Sequence, residues 1–193
     1  TNISSYTYKA KTVSSTPNRG DCFSLIGIAR DICAVNNLKL KLPKFKKQQQ
    51  KLDSKKTVSV DKRACSSYLG QIIKLKSKGK TPKHIKKTLK AADIGQVNPI
   101  VDITNYVMLH TGQPLHAFDN KKIGKKIYVK FPSKRTKLKL LDGASHEITK
   151  DFLTISDENE VIALAGIMGC ANSEVDETTQ EIFLESACFE PTS

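Results

Sequence analysis

Thr104-Asn105-Tyr106-Val107-Met108-Leu109, followed by Gly112-Gln113-Pro114-Leu115-His116-Ala117-Phe118-Asp119, brings a hydroxyl, an amide and an imidazole into sixteen residues. A hydroxyl and an amide can anchor the polar groups of a small ligand, and a histidine beside a reacting centre can order water or move a proton. An isolated histidine in a turn is equally well satisfied by backbone groups, so spacing alone identifies no site. The chain offers no P-loop, no HExxH, no GxSxG and no paired carboxylates at a convincing separation. Five cysteines (Cys22, Cys33, Cys65, Cys170 and Cys188) are odd in number, scattered and without a CxxC pair, which nominates neither zinc nor a redox site and fits a reduced, cytoplasmic compartment.

Several elements must hold these groups. Ile100, Ile103, Thr104, Val107 and Met108 recur at helical intervals, so one face of a helix can be buried while Asp102 and Asn105 project elsewhere. Gly112 suits the left-handed residue that closes this helix, and Pro114 prevents its continuation into the turn that carries His116. Upstream, Cys22, Leu25, Ile26, Ala29, Ile32 and Cys33 trace a second helical stripe, with Asn18 or Asp21 available as its cap, and this helix is expected in the core. Thr81 followed by Pro82 reads as cap and first-turn proline of a short helix whose apolar side is Ile85, Leu89 and Ala92.

Strand-like segments fall at 58–60 and 68–75, then at 127–131, 137–141, 153–156, 161–165 and 182–187, with Asp142-Gly143 as a tight hairpin turn. Gly166 and Gly169 fit either a bend in a strand or a wall where a ligand meets bare backbone. The chain is expected to be an α+β protein with a helix-containing first half and a β-rich second half. Residues 1–15 read as a lead-in from a neighbouring domain and 16–193 as one module, with a flexible excursion at about 37–56.

A length of 193 residues can bury a real core, and no apolar run approaches the roughly 20 residues that span a bilayer. The net charge of +13 is regional: residues 1–100 hold 22 Lys and Arg against 5 acids, and residues 101–193 hold 10 against 14. A face this basic draws a polyanion, or is simply a solvated lysine-rich surface; lysines without interleaved arginine and aromatics are poor evidence for base recognition.

The words themselves are more specific than their spacing. TNYVML…GQPLHAFD resembles the B3/B4 region of the phenylalanyl-tRNA synthetase beta subunit, and other pieces agree in order: TPNRGDC at 16–22, ACSSYLG at 64–70, LDG at 141–143, LAGIMG at 164–169 and FLESA at 183–187. The resemblance implies an α+β fold, a B3/B4-type module in which a β-sandwich of unusual topology is flanked by helices. It further implies an editing site that hydrolyses tyrosine wrongly esterified to tRNA(Phe), with Glu185 accepting the phenolic hydroxyl and His116 orienting the reactive end. By the same resemblance Thr104 and Asn105 lie near the amino acid, and Pro114, Ala165, Gly166 and Gly169 form pocket walls.

As partners it implies the tRNA(Phe) 3′ end, an alpha subunit and the remaining beta-subunit domains in an alpha2beta2 heterotetramer. ATP and magnesium are expected only at the alpha-subunit site, with no cofactor in these residues. Two departures stand out: Gly95 occupies the place of a usual arginine, and the chain ends before a stretch like GLxTDASxRFERG that helps to complete the family's pocket. The alternative is a non-catalytic RNA-binding or scaffolding module of the same fold.

Overall fold

The computed structural model describes residues 14–43, 56–77 and 79–191. The expected lead-in at 1–15 falls almost entirely outside the described residues, as does most of the excursion at 37–56.

Two sheets facing each other make the core. The larger contains β1 (Thr57–Val60), β4 (Lys126–Lys130), β7 (Thr154–Ser156), β8 (Val161–Leu164) and β9 (Met168–Gly169), in that spatial order. β1 runs parallel to β4, and the other pairs are antiparallel. The smaller sheet has β10 (Glu181–Phe189) between β2 (Cys65–Lys74) and β3 (Leu115–Asp119), antiparallel to both. A hairpin of β5 (Thr136–Lys139) and β6 (Ser145–Ile148) turns at Asp142-Gly143 as expected, with Gly143 at φ 81°. Its Leu138, Leu140 and Ile148 pack beside Leu164 and Cys170 at the edge of the larger sheet.

Alternation along the small sheet explains the layering. In β10, Phe183 points into the sandwich with Phe118 of β3, where they meet Ile127, Val129, Ile155 and Ile162 from the larger sheet. Ile182 and Leu184 point the other way, together with Ala117, onto Ile100 and Val101 of the helix α3 (Pro99–Thr111). The architecture is therefore α+β, as the sequence implies, with both faces of one sheet covered.

Asn98 caps α3 by accepting from the Ile100 and Val101 amides, Pro99 opens it, and Gly112 closes it at φ 79°. The buried face differs from the expectation: Asp102 and Thr104 are buried, whereas Ile103 is exposed. The cause is a non-local clamp, because Asp102 accepts from the Thr81 hydroxyl at 2.5 Å and from the Val97 amide at 3.0 Å. Thr81 is thereby not a cap. The next helix, α2 (Lys83–Ala91), has Pro82 at its cap position with no side-chain hydrogen bond, buries Ile85 and Leu89, and leaves Ala92 exposed.

The first helix, α1 (Leu25–Val35), is capped by Ser24, which accepts from the Gly27 amide at 3.0 Å; neither Asn18 nor Asp21 does so. Asp21 instead pairs with Arg19. Leu25, Ile32 and Val35 are exposed, so this helix does not enter the core; Gly27 is its one buried residue. Cys22 lies outside the helix in a short 3-10 turn, and Cys22 and Cys33 are only partly buried.

Candidate functional site

The chemistry gathers where β10 meets β3. Antiparallel register places Glu185 directly opposite His116 on one side and opposite Gly70 on the other. Period-two alternation turns all three to the interior of the sandwich, the same side as Phe183 and Phe118. His116 is thus a strand residue of β3, not part of a turn. An acid on the central strand of a covered sheet is deeply enclosed, and Glu185 is 6% exposed.

Glu185 and His116 face a cavity of about 190 Å3 between the two sheets, with Pro114, Gly166 and Gly169 on its wall. Its remaining lining is mostly apolar, including Ile155, Ala163, Met168 and Phe189. This is below the roughly 300–1,000 Å3 of an ordinary small-molecule pocket and suits one compact group. Gly166 sits at φ 69° in the turn linking β8 to β9, where the Ile167 amide donates to the Leu164 carbonyl at 3.1 Å. This glycine makes the bend and also borders the cavity. At Gly169 the reason is proximity, because an added Cβ would lie 2.7 Å from the imidazole of His116.

Other expected site residues lie elsewhere. Thr104 and Asn105 belong to α3, which covers the opposite face of the small sheet, and neither lines the cavity. The Thr104 hydroxyl is used within its own helix, donating to the Val101 carbonyl at 2.9 Å. Ala165 packs against the core, its amide donating to the Leu153 carbonyl at 3.0 Å, and is absent from the cavity wall. Gly95 has open space around it, so a side chain there meets nothing among the described residues.

Burial sets the electrostatics. It pushes the Glu185 carboxyl up to about 7, although the Tyr68 hydroxyl, donating to Oε2 at 3.1 Å, pulls the other way. It pushes His116 down to about 4, so the imidazole is neutral near pH 7. That ring stacks edge-on against Phe118 at 4.5 Å and makes no hydrogen bond among the described residues. A base this weak is a poor proton acceptor at neutrality but a competent orienter of water. Tyr68 went unrecognised as part of the site; its only sequence signal was its place in ACSSYLG.

A larger hollow of about 610 Å3 opens between α2, the start of α3 and the 176–179 loop. Its buried acid, Asp102, is already occupied by the Thr81 hydroxyl and the Val97 amide. Among the described residues no group of His, Cys, Asp and Glu is placed to hold a metal, and no helix is long and apolar enough to cross a membrane. All five thiols are free.

Residues 64–193 match the family model described as the B3/4 domain. The chain belongs to the B3/4 domain family. It is 42% identical over 185 residues to the phenylalanine–tRNA ligase beta subunit of Photorhabdus laumondii, and 44% identical over 184 residues to that of Desulfotalea psychrophila. These alignments cover 95% and 94% of the chain but 23% and 22% of the relatives, so the chain spans about a quarter of the curated proteins it matches. Among solved structures, an N-terminal fragment of the Pyrococcus horikoshii phenylalanyl-tRNA synthetase beta subunit superposes with a TM-score of 0.50 at 18% identity. The match covers 90% of this chain and 54% of that one and shows a shared fold alone.

Proposed function

We propose that the cavity of this B3/4 domain is an editing site that hydrolyses the ester of tyrosine wrongly attached to tRNA(Phe), within a phenylalanine–tRNA ligase beta subunit. The observation that carries the reading is the cross-strand pairing of Glu185 with His116 at one small cavity. A synthetic pocket shaped for phenylalanine rejects an isostere bearing one extra hydroxyl only about a hundredfold, so a second site must recognise that hydroxyl. Among the described residues Glu185 Oε1 accepts no hydrogen bond and is not sealed off, which leaves it available to a phenol. A phenylalanyl ester would leave this oxygen desolvated and unpaired, at a cost of about 1–3 kcal/mol.

In this reading the ester lies toward His116, whose neutral imidazole orients a water for attack on the carbonyl. Gly166 and Gly169 let the backbone approach the aminoacyl group. The working partners are the tRNA(Phe) 3′ end and an alpha subunit, which would supply ATP-dependent phenylalanine activation elsewhere.

The test compares hydrolysis of tyrosyl-tRNA(Phe) by the full-length protein and by Glu185→Ala. A loss of at least tenfold, with phenylalanyl-tRNA(Phe) hydrolysed no more slowly than by wild type, supports editing; equal tyrosyl rates remove it. A second reading, RNA binding without chemistry, is favoured by α2, whose exposed Lys83, Lys86, Lys87 and Lys90 make no ion pair among the described residues. Steep salt dependence of tRNA binding together with unchanged tyrosyl-tRNA stability would select it.

A further inference from the structure

We propose that Tyr68 is a positioning residue that occupies one oxygen of Glu185 and reserves the other for substrate, so that preference for a phenol over a bare phenyl ring depends on the Tyr68 hydroxyl. This rests on the editing reading of the cavity and goes one residue further back.

The small sheet dictates the arrangement. Tyr68 on β2 pairs with Ala187 on β10, two pairs along from Gly70 and Glu185, so all four positions share the interior face. On the β2 side, opposite Glu185, there is no side chain, and the ring of Phe183 lies across Gly70, where an added Cβ would come 2.2 Å from Cζ. Phe183 thereby closes one diagonal beside the carboxylate, and the Tyr68 side chain takes the other. Its ring packs against the sandwich core while its hydroxyl donates to Glu185 Oε2 at 3.1 Å.

That bond is the only one the Glu185 side chain makes among the described residues. Without it a buried carboxyl is free to rotate and to present either oxygen, or a proton, to the cavity. With it, Oε2 is committed and Oε1 faces outward as an acceptor. The charged and titratable groups facing Glu185 from its neighbours are Tyr68 and Cys65 on β2 and His116 on β3. Burial and the adjacent Glu185 charge push the Tyr68 phenol well above its ordinary range, so it stays a donor throughout the working pH.

The experiment uses full-length protein in its native assembly and compares wild type, Tyr68→Phe, Glu185→Gln and the double variant. Hydrolysis of tyrosyl- and phenylalanyl-tRNA(Phe) is followed with kcat and KM separated between pH 6 and 9. Tyr68→Phe keeps the ring, so the fold should persist. The expected result is a fall of about tenfold to a hundredfold in tyrosyl-over-phenylalanyl preference, mainly through the KM of the tyrosyl ester. Its acid limb should move to higher pH, because the carboxylate has lost its one donor. The double variant should lose no more preference than Glu185→Gln alone.

An unchanged preference and pH profile in Tyr68→Phe, with Glu185→Gln impaired, overturns this proposal and leaves editing intact. So does an equal slowing of both esters, the mark of a packing role, or a strictly additive double variant. If Glu185→Gln itself retains the preference, the editing reading fails and takes the role of Tyr68 with it.

Discussion

The imidazole of His116 lies in the space that a side chain at residue 169 would need: a Cβ on Gly169 would come 2.7 Å from both Cε1 and Nε2 of that ring and 3.2 Å from Leu141 Cδ1. Gly169 therefore positions His116 by having nothing there. Gly169→Ala should push the ring into the cavity or away from the ester. The expected outcome is a loss of about tenfold or more in tyrosyl-ester hydrolysis, with a stability cost of about 1–3 kcal/mol from overpacking. Kinetics and a thermal melt on the same sample check this; full activity with a displaced imidazole would separate His116 from the reaction.

Burial displaces Glu185 and His116 in opposite directions over nearly the same pH interval. Glu185 is raised from 4.5 to about 7, so the stability tied to its neutral form is full below 4.5 and lost as pH rises through 7. His116 is lowered from 6.5 to about 4, so the stability tied to its neutral form is full above 6.5 and lost as pH falls through 4. Each shift corresponds to about 3 kcal/mol, and in the wild type the two slopes oppose each other. Glu185→Gln, which no longer titrates, should gain on wild type by about that amount between pH 4.5 and 8. Denaturant titrations at several pH values read it directly; parallel curves for the two proteins would contradict the raised carboxyl.

Elements with strong local patterns were legible, and elements made by distant partners were not. The alternation of Ile182 to Ala187 and the Gly112 stop of α3 are local, and both were found where expected. β3 was hidden because Gly112 and Pro114 are turn formers and the strand that follows is only five residues long. Periodicity assigns an acid to solvent, but Asp102 is inward because Thr81 and Val97 reach it from outside its helix. For α1 the apolar stripe was correctly seen, yet a stripe says only which face is apolar, not that anything covers it. At the candidate site, the surrounding words nominate Glu185 and His116, which the fold brings to one cavity, whereas Tyr68 is 117 residues from its carboxylate and no spacing links them.

Gly70 and Phe183 give a purely structural prediction. The Phe183 ring crosses the backbone at Gly70, with Cζ and Cε2 at 2.2 and 2.5 Å from where a Cβ would stand. Phe183 is fully enclosed and packs with Phe118 at 6.4 Å between centroids, so it has little room to retreat. Gly70→Ala should cost about 1–3 kcal/mol, and Gly70→Val more. Gly79→Ala, with open space around it, is the control and should be nearly silent in the same melt.

Asp102 offers a test of what holds the helical layer against the small sheet. Its carboxylate, 2% exposed, receives the Thr81 hydroxyl ahead of α2 and the Val97 amide ahead of α3, tying two loops to one helix. Asp102→Ala removes both acceptors and strands a buried hydroxyl and a partly buried amide, which should cost about 2–4 kcal/mol. Asp102→Asn keeps the shape and one carbonyl acceptor, and should recover roughly half of that. Thr81→Val removes one donor and leaves the Val97 bond, so its cost should fall below that of Asp102→Ala. Because this clamp lies across the sheet from Glu185, the kinetics of ester hydrolysis in Thr81→Val should match wild type at temperatures where the variant is folded. A selective loss of tyrosyl preference would instead mean that α3 transmits strain through β3 to His116.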